Sequence, residues 1–415
     1  MDIIILIILS VVAMLALGPV SKATKVPVVI YFMILGVIMG SYGLNLVQYL
    51  PSISVYSSLA IVILFLVSGY GLNVPAIKTS GKRTFALSSL PAIGEGLIAG
   101  VIAWVVLTII PVFDEPSINM AAVVAIMLVF AMSSPAIIIP FNMQGKGRGI
   151  NSPAFDELTV ASVLDNFIPF PICLVLLNLA YAIESGDGVN VLAIIVQSAV
   201  LIIAIVVAFI ITYFIGKGVA KATDKINNPM TVAIIATLIT VLVYFITGPI
   251  GASLGIIMGF GIGVGYNVSV KQEIKMPMLG ASQKIYGLLL MPMVFIYVGT
   301  QIQIDQLLRP ATVIAFTIIT IIAIFLKGFV AKAYLTRNGY SKEEGQYVAY
   351  GFAAKGIILI NISLVIGVGL TNNGLDYMLQ MMYMLAAISI IISVPYSSVK
   401  LGKQLDVLEE TNKEQ

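Results

Sequence analysis

Four ionisable side chains sit in stretches that are otherwise apolar. Asp165 lies beside Asn166 in TVASVLDNFIPFP (159–171), Glu95 between glycines in LPAIGEGLIAG (90–100), Lys327 in IFLKGFVAK (324–332) and Lys355 in YGFAAKGIILI (350–360). A carboxylate in such surroundings can hold a proton or a partly dehydrated monovalent cation. An amide oxygen can add a ligand, and a lysine can offset the acid's charge. Ionisable groups at bilayer depth are costly to keep and mark ion or proton paths. The chain has no histidine, so any proton chemistry falls to carboxylates or lysines. Ser133 and Ser134 of SSPAIIIP (133–140), with Ser162 just upstream of the acid, are further oxygen donors. Asp156 and Glu157 stand at the start of the same segment as Asp165. They read either as charges favourable to a helix N-terminus or as the lining of a cytoplasmic access path. The single cysteine, Cys173, lies in an apolar run. It excludes an intrachain disulfide framework and a cysteine-clustered metal site, and reads as an inert thiol.

The elements that must position these groups are membrane spans. Of 415 residues, 60% are hydrophobic and only 10% charged, with mean hydropathy +1.07. A soluble domain carries roughly 25% charged residues, so the chain is an all-α polytopic membrane protein. Runs of about 20 apolar residues can cross the bilayer. Thirteen are read: 3–19, 26–42, 55–74, 84–110, 118–143, 154–182, 189–216, 229–247, 250–267, 282–301, 311–335, 346–371 and 375–397. The first has no small-residue cleavage site ahead of the next basic loop, so it is not read as a signal peptide. Lys and Arg mark cytoplasmic loops. All but Arg309, Lys327 and Lys355 fall in the odd-numbered loops, their flanks or the tail. The N-terminus is therefore expected outside and the C-terminus in the cytoplasm, in the cell membrane.

An internal echo organises the spans. ILGVIMG (34–40) matches SLGIIMG (253–259), FLVSG (65–69) stands opposite FIYVG (295–299), and AMSSPAIII (131–139) opposite GFAAKGIIL (351–359). The matches pair runs 2–6 with runs 9–13. That offset is odd, so the copies are inverted in the membrane. Inverted repeats are typical of secondary transporters, with the substrate near the midplane at the repeat interface.

At 1.5 Å per residue, Glu95, Asp165, Lys327 and Lys355 each lie about 12–17 Å in from the cytoplasmic side, with Pro135 at the same level. Pro135 and Pro140 lack an N–H and disturb the preceding turn. A broken helix is tolerated in a membrane where it is packed in protein or lines a cavity. Its freed carbonyls, with Ser133 and Ser134, can replace part of a cation's water shell. The matching run carries Lys355-Gly356, so a second break is expected there, with two crossed helix ends and Lys355 neutralising the negative ones. Structural readings compete at each point. A proline kink can be only a kink, Lys327 can snorkel to the interface, and Glu95 can be a packed, protonated acid.

Nearly end to end, the chain resembles the monovalent cation:proton antiporter superfamily, the bacterial sodium/proton antiporters and Kef-type exchangers. LGPVSKATKVPVVIYFMILGVIMGSYGLN (17–45) resembles the opening helix pair, SSPAIIIPF the broken fifth helix, and ASVLDNF the acidic helix whose paired residues hold the ion. IFLKGFVAK is similar to the helix whose lysine pairs with the first of those residues, and YGFAAKGIILI to the second broken helix. The resemblance implies a homodimer. Residues 1–75 and 229–301 would form its dimerisation domain, 84–182 and 311–397 a core that moves as a rigid body, 189–216 a linker helix and 398–415 a short cytoplasmic tail. One departure stands out. The family's second position is normally the exchanging acid, and here it is Asn166. An amide can coordinate a cation but cannot carry a proton. Either Asp165 has taken over exchange, Glu95 supplies the missing carboxylate, or proton coupling is lost.

The expected activity is exchange of Na⁺, or K⁺, for protons at Asp165 and Asn166 by alternating access, with Lys327 and Lys355 compensating charge. Burial disfavours an ionised carboxylate and a neighbouring lysine favours it, so one acid can trade a proton for a cation. The alternatives are a symporter or uniporter of an organic solute on the same fold, a channel-like conductance, and a non-transporting receptor on a transporter scaffold. No cofactor, enzyme activity or nucleic-acid partner is expected; the partners are lipids, monovalent cations and a second copy.

Overall fold

The computed structural model describes residues 2–24, 26–50, 52–72, 74–113, 118–150, 152–166, 168–184, 191–247, 252–355 and 376–414. In chain order the helices are α1 (Asp2–Thr24), α2 (Val28–Met39), α3 (Ile53–Tyr70), α4 (Val74–Ile109), α5 (Met120–Phe130) and α6 (Pro135–Gly147). Next come α7 (Pro153–Leu164), α8 (Pro169–Glu184), α9 (Val191–Thr223), α10 (Pro229–Thr247), α11 (Ala252–Ser269) and α12 (Gln272–Ile285). After a π-helical turn (Tyr286–Leu290) follow α13 (Met291–Gln301), α14 (Ile304–Leu307), α15 (Pro310–Arg337), α16 (Lys342–Phe352) and α17 (Asp376–Glu414). Each of the thirteen apolar runs contains helix, and no strand occurs among the described residues. Among the described residues, eight helical stretches are long and apolar enough to cross a membrane, one of them running from α12 through the π-helical turn into α13.

Helix starts follow local chemistry. Asn119 caps α5, its Oδ1 accepting from the N–H groups of Ala121 and Ala122. Ser152 caps α7 ahead of Pro153. At α16, Ser341 and Glu344 satisfy each other's backbone N–H in a capping box.

The described residues form two compact units, one within 2–72 and 200–302, the other within 74–199, 303–355 and 376–414, so α9 contributes to both. In the first unit, α13 packs on α2 and α11 on α3. Small residues let the backbones meet: a Cβ on Gly36 would strike the backbone of Ile296 and Gly299, and one on Gly69 the backbone of Gly263. Such contacts suit a solvent as apolar as the side chains themselves. The pairing obeys the repeat. Exchanging run 2 with run 9 and run 3 with run 10 turns one contact into the other. Asn267 closes α3, its amide donating to the carbonyls of Gly69 (3.0 Å) and Leu72 (2.6 Å).

In the second unit α4 packs along α5 and α15, and α16 against α15 and α17. One apolar core of this unit gathers Phe155, Leu158, Tyr347, Phe352, Leu401 and Leu405. The short tail expected beyond the last span is helical. α17 runs on as helix to Glu414 because Leu401, Leu405 and Leu408 repeat at helical spacing and bury their apolar face. Arg148 at the end of α6 pairs with Asp406 (2.7 Å).

Candidate functional site

The site grows from the interrupted helices of the second unit. α5 ends at Phe130 and α6 starts at Pro135. Pro135 has no N–H to give the carbonyl four residues back, which belongs to Ala131. Across the gap α16 ends at Phe352 and Ala353–Lys355 leave the helix. The two loose segments touch: the Ser134 N–H donates to the Ala354 carbonyl at 2.9 Å. Ser134 and Ala354 are equivalent positions of the repeat, so the bond joins the two copies at matched residues. Ser393 of α17 secures the second break, accepting from the Lys355 N–H (3.1 Å) and donating to its carbonyl (3.3 Å). Gly356, expected at this break, lies outside the described residues. Pro140 does not break the chain; it lies within α6.

Two buried ion pairs occupy the space beside this contact. Lys327 Nζ, from the middle of α15, lies 2.6 Å from Asp165 Oδ2 and 2.7 Å from Ser133 Oγ. Lys355 Nζ lies 2.6 Å from Glu95 Oε2, from α4. All four side chains have no exposed area, so Lys327 does not snorkel. Both ammonium groups also donate to the Ala131 carbonyl, Lys355 at 3.0 Å and Lys327 in a shorter contact. The acceptor freed by Pro135, at the negative end of α5, thus joins the two pairs. Phe352 lies under Lys327 (4.7 Å) and Phe130 under Lys355 (5.8 Å), adding cation–π contacts.

A third interruption, not expected from the sequence, falls inside the single span read at 154–182. α7 stops at Leu164 and α8 resumes at Pro169, so Asp165 and Asn166 stand at a break. The signal was present: Pro169 and Pro171 cannot donate to the preceding turn. Asp165 uses both oxygens, Oδ1 accepting from the Ser133 N–H (3.3 Å) and Oδ2 from Lys327. Asn166 donates its amide to the Ser162 carbonyl (2.7 Å). Ser162 thus serves through its carbonyl, since its hydroxyl donates to Thr159 O (2.9 Å). Within this cluster, three buried oxygens of the described residues have no hydrogen-bond partner: Asn166 Oδ1, Ser134 Oγ and Glu95 Oε1. Buried polar atoms are nearly always paired, so these are the ones free to meet an ion or water.

Asp156 and Glu157 are not brought to this cluster by any bond. Glu157 is buried and pairs with Arg83 of α4 (Nε–Oε1 2.7 Å), whose guanidinium stacks on Tyr340 (5.0 Å). Burial, with the Glu157 carboxylate next, holds the Tyr340 phenol well above its ordinary range. Asp156 pairs with Lys146 at the surface (2.6 Å). Below the break, Asn142 donates to Thr159 Oγ1 (2.6 Å) and Phe155 O (2.8 Å) and accepts from Tyr347 (2.8 Å), tying α6, α7 and α16 together. Arg83, Ala131, Asn142, Tyr347 and Ser393 were not singled out in the sequence. Only Ala131 had a signal, its place four residues before a proline.

Comparison with known proteins accords with this architecture. No curated protein matches the chain. Among solved structures, that of the sodium proton antiporter MjNhaP1 from Methanocaldococcus jannaschii at pH 8 superposes with TM-score 0.68 at 15% identity, covering 98% of this chain and 100% of that one. An electron-microscopy structure of the same antiporter gives 0.66 at 15% identity, with 97% and 96% covered. At such identity the likeness speaks for the fold. The profile described as "Sodium/hydrogen exchanger, transmembrane" matches residues 7–400. The chain therefore belongs to the transmembrane sodium/hydrogen exchanger family, as a multi-pass transporter that exchanges cations for protons and not an enzyme.

Proposed function

We propose that the Asp165–Lys327 pair is the exchange site, where Na⁺ and a proton compete for one carboxylate. The observation that carries this reading is the ion pair itself, wholly buried at the meeting point of three helix breaks. An ion pair in that position is held by exchangeable contacts: a cation can take the place of the lysine ammonium at Asp165. Asn166 Oδ1 and Ser134 Oγ, both without partners, are the neutral oxygens that complete its shell, and hard oxygen donors suit a small monovalent cation. Sodium is favoured over potassium by the family's name and by the sodium proton antiporter whose fold the chain shares. Because cation and proton occupy the same group in turn, one gradient drives the other.

Alternating access follows if the unit carrying the site moves against the unit of α1–α3 and α10–α13, the latter forming a homodimer contact. The glycine-packed helix pairs of that unit support a rigid partner for such motion. The distribution of Lys and Arg supports an N-terminus outside and a C-terminus in the cytoplasm of the cell membrane. The test is cation-driven proton movement in proteoliposomes, followed with a pH-sensitive dye, with Na⁺, K⁺ and Li⁺ added in turn. The wild type responds to Na⁺ and Asp165→Asn does not. Undiminished exchange in Asp165→Asn would remove the acid from its role.

A further inference from the structure

We infer that Glu95 and Lys355 form a second proton-carrying pair, so that two protons are exchanged for each cation and the cycle moves net charge. The inference rests on the reading of Asp165 as the exchange site and extends it to the other buried acid.

Three observations carry it. First, the two pairs are one cluster. Lys355 and Lys327 share the Ala131 carbonyl, and the charged groups facing Glu95 are Lys355, Lys327 and Asp165. Second, a purely structural role does not account for the pair. A lysine present only to neutralise the negative end of α5 needs no carboxylate, and Glu95 cancels the charge that would do that work. Nor does a buried ion pair stabilise a fold better than apolar side chains of similar size. Third, Glu95 is less engaged than Asp165. Both oxygens of Asp165 are bonded, whereas Oε1 of Glu95 is buried without a partner, so Glu95 keeps one oxygen free for a proton. Asn166 cannot carry one, and Glu95, reaching the same cluster from α4, restores a second carboxyl group.

The charge count then closes. With the cation bound, both acids are ionised, both lysines are charged and the cluster carries one net positive charge. With protons bound, both acids are neutral and the lysines leave two. Two protons move one way and one cation the other, and the difference of one charge crosses the membrane.

The experiment uses the full chain in proteoliposomes with the membrane potential collapsed, seeking the Na⁺ gradient that just halts proton movement. For two protons per cation, a pH difference of one unit is balanced by a Na⁺ gradient of about 100-fold; for one proton, about tenfold. The wild type is expected to balance near 100-fold. Exchange persisting in Glu95→Gln is expected to balance near tenfold, and Glu95→Asp, which keeps the carboxyl, near 100-fold. A wild type that exchanges but balances at tenfold overturns the inference and leaves Asp165 as the exchange site. Glu95→Gln balancing at 100-fold also overturns it and makes Glu95 structural. No Na⁺-driven proton movement from folded wild type would overturn the exchange reading, and this inference with it.

Discussion

The two units answer the same solvent in opposite ways. In the first, α2 meets α13 and α3 meets α11 through glycines, with backbone against backbone. In the second, helices stop short and bury Glu95, Asp165, Lys327 and Lys355 among unwound segments. Lipid gives apolar helices little reason to associate, so close packing must supply the attraction. Glycine contacts supply it without polar groups and leave one arrangement. The broken helices instead expose carbonyls and hydroxyls that only ions, lysines or water can satisfy. One device makes a frame, and the other makes a place where occupants can be exchanged.

Substitutions can break this contrast, and the largest effect belongs to the exchange site. Asp165→Asn should lower Na⁺-driven proton flux by more than about 100-fold, which converts to roughly 2.7 kcal/mol or more. The protein should stay folded, as judged by size-exclusion chromatography. Next are single removals at the second pair. Lys355→Met leaves Glu95 buried and uncompensated, at a cost of about 3–5 kcal/mol, whereas Lys355→Met with Glu95→Gln should recover most of that loss in thermal unfolding. Equal losses in the single and double variants would mean that the pair is not energetically coupled.

In the glycine-packed unit the expected damage is to stability, not chemistry. Gly299→Ala puts a Cβ against the backbone of Met33 and Gly36 and should cost about 1–3 kcal/mol. Flux per folded molecule should be unchanged; a changed Na⁺ dependence would show that the frame takes part in binding. The smallest effect is at Ser134, whose hydroxyl has no partner to lose. Ser134→Ala should leave the melting temperature unmoved and raise the KM for Na⁺ about three- to tenfold, equivalent to roughly 1 kcal/mol. A stability loss without a KM change would give that hydroxyl a structural role instead.

Much of the fold was legible because lipid imposes simple rules. Apolar length marked the spans, and prolines marked most breaks. The interruption at Asp165 was missed although Pro169 and Pro171 announced it, because the apolar run continues across them. The helical form of the tail was not legible from hydropathy, because its Leu401, Leu405 and Leu408 stripe lies beyond the last apolar run.

By itself, the amino-acid sequence determined an all-helical membrane protein with an inverted repeat and four ionisable residues at one depth. These follow from composition, period and the cost of charge in hydrocarbon, all local properties of the chain. Only the tertiary structure decided which lysine meets which acid: Lys327 with Asp165, 162 positions apart, and Lys355 with Glu95, 260 apart. It also decided that the Ala131 carbonyl joins the pairs. A side chain's depth can be counted along its own helix, but its partner depends on how separate helices rotate and cross, and no spacing within one helix encodes that.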